Sequence, residues 1–250
     1  MHKWLQILFS LAITLQGASL SDALNELKEN PHGFALVDVG ITDLDLAAFC
    51  CMDIQKSRVY HQFGGLETTK EIADFFCAIG VNAPTLALQT AARLTQIAQE
   101  VVKAANKETA WLHLRSFNPT DAYDIPHWHT DGRYYISEDS DKLIFKFVLT
   151  LKGPSTLFYL LPPELRKTAE RHMSNRSYMK TFCQPENIVI PKIGEGAIFL
   201  STRGGGPAAL HSEPPIHENR LFFSLIPCLE KELDSLKARI VSAYPKQSIN

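Results

Sequence analysis

The chain is poor in cysteine: only five occur in 250 residues, at positions 50, 51, 77, 183 and 228. An odd number at irregular spacing excludes a disulfide-stapled scaffold and a zinc knuckle, so these residues read as buried thiols. No long basic run is present and the net charge is −2, so there is no electrostatic footprint for sequence-independent binding to nucleic acid or anionic lipid. No apolar stretch is long enough to be a transmembrane segment: the run over residues 4–15 is short and Gln6 interrupts it. Internal repeats, low-complexity tracts and Pro/Gly-rich linkers are also missing, which leaves one domain as the expectation.

What is there is ordinary globular material, 45% hydrophobic and 21% charged, enough for a sizeable core. At the N-terminus His2 and Lys3 precede the apolar run, which ends in the small residues Gly17, Ala18 and Ser19. This is the layout of a secretory signal peptide over residues 1–20, and it predicts export. The alternative is a helix packed on the domain of a cytoplasmic protein. The domain itself is expected over 21–250, as a helical layer (21–108), a β-rich core (109–228) and a C-terminal helix (229–243).

Within the first layer, residues 21–29 suit a short helix and 33–39 a strand. Thr68 and Glu71 have the spacing of a capping box opening a helix that stops at Gly80. Pro84 then suits the first turn of a longer helix, with Ala87, Ala91, Leu94, Ala98, Val101 and Ala105 recurring at three and four. From residue 109 the period changes to two. Strands are expected over 110–117, 143–151, 156–160, 187–190, 197–201 and 221–226, interrupted by a helix over 162–172. The whole reads as an α+β fold, a helical layer on a sandwich or barrel.

The segment Pro126-His127-Trp128-His129-Thr130-Asp131-Gly132 places two imidazoles and a carboxylate within five residues. In extended backbone alternate side chains share a face, so His129 and Asp131 can point at one ion. His211 follows eighty residues later, after the loop Gly204-Gly205-Gly206. Two imidazoles and one carboxylate leave coordination positions open for substrate and dioxygen, as non-haem iron(II) oxygen chemistry requires. Nine residues on, Arg220 begins an apolar strand on which Arg220, Phe222 and Ser224 face one side. A guanidinium fork suits a carboxylate, and an inward arginine without a partner would be costly.

The order His-x-Asp, a run of strands, the Gly-led strand GEGAIFLS (194–201), then His211 and Arg220 resembles the 2-oxoglutarate and iron(II)-dependent dioxygenase superfamily over roughly 111–227. The resemblance implies a double-stranded β-helix (jelly-roll) core. It implies Fe(2+) on His129, Asp131 and His211, and 2-oxoglutarate as co-substrate with its distal carboxylate on Arg220 and Ser224. Lys146 and Thr150, on one face of the strand over 143–151, are in reach of the co-substrate. The implied reaction couples oxidative decarboxylation of 2-oxoglutarate to hydroxylation of a substrate, a small molecule or a protein side chain, that no signature names.

Alternatives stand beside each residue. His127, together with His129 and His211, gives a three-histidine, cupin-like metalloenzyme that does not use 2-oxoglutarate, and His127 in place of His129 gives a shifted ligand set. A degenerate jelly roll binding a ligand or partner without metal is the non-enzymatic reading. Arg220 is otherwise a solvent-facing strand end and Lys146 part of an outer wet face. Trp111, His113 and Arg115 share a face of the strand before the metal loop, where Arg115 is either a substrate contact or a paired structural arginine. The polar segment 133–141 is either a lid or an exposed turn. The sequon at Asn175 matters only in a eukaryotic secretory setting.

Overall fold

A computed structural model describes residues 18–121, 124–132, 134–135, 143–201 and 208–243. The proposed signal peptide up to residue 17, the Gly204–Gly206 loop and most of the 133–141 segment lie outside these residues. Among the described residues no helix is long and apolar enough to cross a membrane.

Helix α1 (Leu20–Glu29) starts where the Ser19 hydroxyl accepts from the Asp22 amide at 3.2 Å, and it buries Ala23, Leu24 and Leu27. After strand β1 (Phe34–Val37), α2 (Asp43–Cys50) is opened by a capping box in which Thr42 and Asp45 exchange hydrogen bonds. Strand β2 (Arg58–Phe63) follows, an element that the sequence pattern does not announce because its outer positions are polar and half exposed. Helices α3 (Thr69–Ile79) and α4 (Pro84–Ala104) turn one apolar stripe each inward, Ile72, Phe75, Phe76 and Ile79 on α3 and Ala87, Ala91, Leu94 and Ala98 on α4. The capping box expected at Thr68 is not formed: its hydroxyl is buried without a partner among the described residues, and Gly80 at φ 118° ends α3 as expected.

The β-region forms two antiparallel sheets. Strands β3 (Thr109–Phe117), β4 (Phe145–Lys152), β7 (Gly196–Leu200) and β9 (Arg220–Cys228) join β1 and β2 in a six-stranded sheet ordered β1-β7-β4-β9-β3-β2. Strands β5 (Leu157–Tyr159), β6 (Ile188–Val189) and β8 (His211–Ser212) form a small sheet ordered β6-β5-β8. A bridge between His211 and His129 extends its β8 edge by one segment. The period-2 alternation divides the large sheet cleanly. Leu112, Leu114, Phe147, Leu149, Phe223 and Leu225 pack on the helices, while the alternate positions face the small sheet across a core of Phe34, Leu36, Phe158, Phe199 and Phe222. There Phe158 stacks on Phe34 at 4.8 Å and meets Phe199 edge-on at 5.5 Å.

Helices α5 (Arg166–His172) and α6 (Arg176–Phe182) cover the back of the small sheet through Ala169, Met179, Trp128 and Tyr159. The helix expected over 162–172 is a 3₁₀ turn, Pro163–Leu165, running into α5, and α6 was not expected. Helix α7 (Leu233–Ala243), likewise preceded by a 3₁₀ turn, closes one end by placing Leu236 and Ile240 against Trp111 and Ile226. Only Cys183 and Cys228 are buried; Cys50, Cys51 and Cys77 are exposed, a correction to the reading of all five as buried thiols. Cys77 is on the solvent side of α3, and Cys50 and Cys51 follow Phe49, which takes the inward position of α2.

Candidate metal centre

The loop between β3 and β4 carries His129 and Asp131 past the end of the small sheet, where His129 pairs with His211 of β8. The two backbones exchange hydrogen bonds of 2.8 and 2.9 Å, so the imidazoles rise from directly opposed positions with ring centroids 4.4 Å apart. Asp131, two residues on, projects to the same side. One carboxylate oxygen lies 3.7 Å from His129 Nε2 and the other 3.8 Å from His211 Nε2. The three ligand atoms all fall within 4.8 Å of one another.

Each imidazole is oriented from behind. His129 Nδ1 meets the His127 carbonyl at 2.7 Å and His211 Nδ1 the Ala209 carbonyl at 3.1 Å. A carbonyl only accepts, so each Nδ1 carries the proton and each Nε2 presents its lone pair to the cluster, the arrangement typical of metal-ligating histidines. Burial pushes the His211 pKa down to about 3, with the neighbouring His129 adding to the effect, so its ring is neutral. For Asp131 burial alone would favour the acid, but the Lys146 ammonium, then His211 and His129 and a hydrogen bond from Tyr134, hold the carboxyl well below the usual carboxylate range. A neutral imidazole and an ionised carboxylate are the protonation states in which these side chains bind a metal. His127 is exposed and stands outside the cluster; its contribution is the carbonyl that aims His129.

A cleft of about 90 Å³ runs from this cluster between the sheets. Lys146, expected near the co-substrate, lies at its metal end, with Nζ 3.3 Å from Asp131 and 3.4 Å from the Tyr134 hydroxyl. Thr150 is buried but does not line the cleft. Arg220 lies at the other end, 1% exposed, which removes the alternative of a solvent-facing strand end. Its Nε donates to the Pro154 carbonyl at 2.8 Å and its Nη2 to the Thr156 hydroxyl at 3.2 Å, and its guanidinium lies 4.6 Å over the Phe222 ring. The Pro154 carbonyl is delivered by a turn at Gly153, whose φ of 78° and contact with the Asn219 carbonyl leave no room for a Cβ.

Ser224, expected beside Arg220, is not among the residues lining the cleft; its hydroxyl is directed to His113 Nδ1 at 3.5 Å. Four residues of extended strand span roughly 13 Å, too far for two groups to grip one carboxylate. The hydroxyl next to Arg220 is that of Thr156, from the start of the small sheet, and nothing in local sequence pairs positions 156 and 220. Trp111, His113 and Arg115 do line one wall. Arg115 is paired with Glu213 at 3.1 Å, and Glu213 was overlooked although it stands two residues beyond His211 in extended chain.

No protein-family model matches the sequence, and no curated protein does. Among solved structures the chain is similar to a prolyl-4-hydroxylase of Pseudomonas putida, at 14% identity over 86% of this chain and 95% of that one, with a TM-score of 0.41. It is similar to a dioxygenase for auxin oxidation from rice, at 11% identity over 86% and 81%, with a TM-score of 0.43. A third is HygX from Streptomyces hygroscopicus, solved with nickel and 2-oxoglutarate bound, at 12% identity over 82% and 86%, with a TM-score of 0.41.

Proposed function

We propose that this protein is a non-haem iron(II), 2-oxoglutarate-dependent dioxygenase on a double-stranded β-helix. The observation that carries the proposal is the convergence of two tautomer-fixed imidazoles and one ionised carboxylate at the head of a cleft that ends in a buried arginine. The strand order supports the fold: from β3 onward successive segments pass between the large and the small sheet, β3 large, residue 129 small, β4 large, β5 and β6 small, β7 large, β8 small, β9 large.

His129, Asp131 and His211 would hold Fe(2+), which when bound supplies the redox chemistry that activates dioxygen and decarboxylates 2-oxoglutarate. The chain's own part is binding and orientation. Lys146 keeps Asp131 ionised, and the carbonyls of residues 127 and 209 aim the imidazoles. At the far end Arg220 and Thr156 offer a charged donor and a hydroxyl to a carboxylate. Phe222, Val148 and Phe199 between these ends exclude water from the cleft. Three cations, Arg115, Lys146 and Arg220, against two carboxylates, Asp131 and Glu213, suit a dianionic co-substrate. The cupin-like reading loses its third ligand with His127 facing solvent.

The test is anaerobic titration of the purified protein with iron(II) and 2-oxoglutarate while the visible spectrum is recorded. The expected result is the charge-transfer band of a chelated 2-oxo acid. Iron binding without that band would return the cupin-like reading, and failure to bind iron at all would leave a jelly roll used for another purpose. The hydroxylated substrate, small molecule or protein side chain, and export of the protein are part of the same proposal.

A further inference from the structure

The middle of the cleft holds a polar group that neither the metal cluster nor the Arg220 end uses. His113 is central on β3, with Trp111 and Arg115 on either side of it along the cleft wall. It is 9% exposed, and its Nε2 is buried with no hydrogen-bond partner among the described residues. Leaving such an atom unsatisfied is costly, and the side chain lines the cleft, the side from which a partner can arrive.

The ring is held rigidly. One face lies against His61 at 4.6 Å with an interplanar angle of 4°, and Trp111 stacks at 5.4 Å. The Trp111 indole, which can only donate, gives its N–H to His61 Nδ1 at 3.1 Å and so fixes the pair from the far side. The Ser224 hydroxyl reaches His113 Nδ1 from the neighbouring strand, where the two residues are register partners. Burial first, and the neighbouring His61, Arg115 and Lys146 after it, keep the ring neutral. The Ser224 hydroxyl can donate to Nδ1, and in that tautomer the ring's single proton sits on Nε2 of a side chain that lines the cleft wall.

The cross-strand rows locate this donor. Lys146, bonded to Asp131, lies one residue beyond the Phe147–Leu225 pair, toward the end of the strands where Trp111 pairs with Ile226, and Arg220 is the register partner of Phe117. His113 falls between these rows, with Ser224 and Val148. We infer that His113 is a positioning residue for the co-substrate, its Nε2–H donating to an oxygen of the bound 2-oxo acid, with Ser224 setting the tautomer. This inference rests on the oxygenase reading and assigns Ser224 a part in it different from a grip on the distal carboxylate.

The experiment is calorimetric and spectroscopic titration of the anaerobic iron(II)-loaded protein with 2-oxoglutarate, in the parent, His113→Phe, His113→Gln and Ser224→Ala. His113→Phe is expected to raise the Kd for 2-oxoglutarate by about 10- to 100-fold, as loss of a hydrogen bond to a charged group does, and to shift the charge-transfer band while iron(II) affinity is kept. His113→Gln, which retains an N–H donor, is expected to recover part of both, and Ser224→Ala to weaken binding by a few-fold. Unchanged Kd and band position in a folded His113→Phe protein, or in both milder variants should that one not fold, overturn the inference. Absence of the band in the parent is a separate result, which rejects the oxygenase reading itself.

Discussion

The two sheets contribute to the cleft in opposite ways. The large sheet supplies the cations and donors, Arg220, Lys146, Arg115 and His113, from strands of eight and nine residues whose other faces are packed on α3 and α4. The small sheet and the loop beside it supply the His129, Asp131 and His211 cluster from almost no regular structure: a two-residue strand and an isolated bridge. Long strands hold their side chains by burial of the opposite face. The two histidines of the cluster are held by one pair of backbone hydrogen bonds and by two carbonyls behind the imidazoles. On the proposed function, recognition of an anion would thus be built into the core, whereas the metal end would be completed by local polar contacts and gain most from a bound ion.

The largest test of that contrast is to remove one residue from each end. His211→Ala is expected to lower iron(II) affinity by more than about 100-fold, beyond the loss that outer-shell changes produce, measured by anaerobic equilibrium dialysis. Arg220→Ala is expected to leave iron(II) affinity within a few-fold while raising the Kd for 2-oxoglutarate on the order of 100-fold, since a buried charge pair is broken. If both variants lose both ligands equally, the two ends are not separable and the contrast fails.

Protons probe the same division with smaller effects. His211 and His113 have folded-state pKa values below the unfolded value of 6.5, so in the folded state they stay neutral while the unfolded chain binds protons. Metal-free protein therefore loses stability as pH falls from about 7 toward 4, by up to about 1.4 kcal/mol per pH unit for each histidine. Asp131 runs the same way at lower pH: its contribution is complete above the unfolded value of 3.8 and is lost as pH falls below it. Urea unfolding at a series of pH values measures this, and His113→Phe is expected to flatten the slope between pH 7 and 4. A slope unaltered by that change would contradict a neutral buried His113.

The smallest effect concerns the turn that serves Arg220. Gly153→Ala is expected to cost about 1–3 kcal/mol, from left-handed backbone and a clash with the Asn219 carbonyl. The same change is expected to weaken 2-oxoglutarate binding without altering iron(II) binding. Equal weakening of the two would show that the turn supports the whole cleft and not its anion end alone.

Local periodicity made most of the architecture legible. The alternation of β3, β4 and β9 follows directly from one face meeting helices and the other the small sheet, and the stripes of α3 and α4 from packing on that sheet. Strand β2, α6 and the true capping box at Thr42 were hidden, because a half-exposed edge strand, a seven-residue helix and a cap on a short helix have weak periodic signals. Thr68, with the right residue type and spacing, does not cap because its hydroxyl is buried facing no amide.

For the site, sequence alone determined that His129 and Asp131 share a side, since neighbours two apart in extended chain do so, and that Arg220, Phe222 and Ser224 share one face of their strand. Tertiary structure decided everything that depends on two distant segments meeting. The His211–His129 bridge, the choice of His129 over the solvent-facing His127 and the turning of Ser224 toward His113 follow from strand register, and the place of Thr156 beside Arg220 from the way the two sheets face each other. A register is a property of two strands together, set by which faces bury and which turns connect them, and no single stretch of chain contains it.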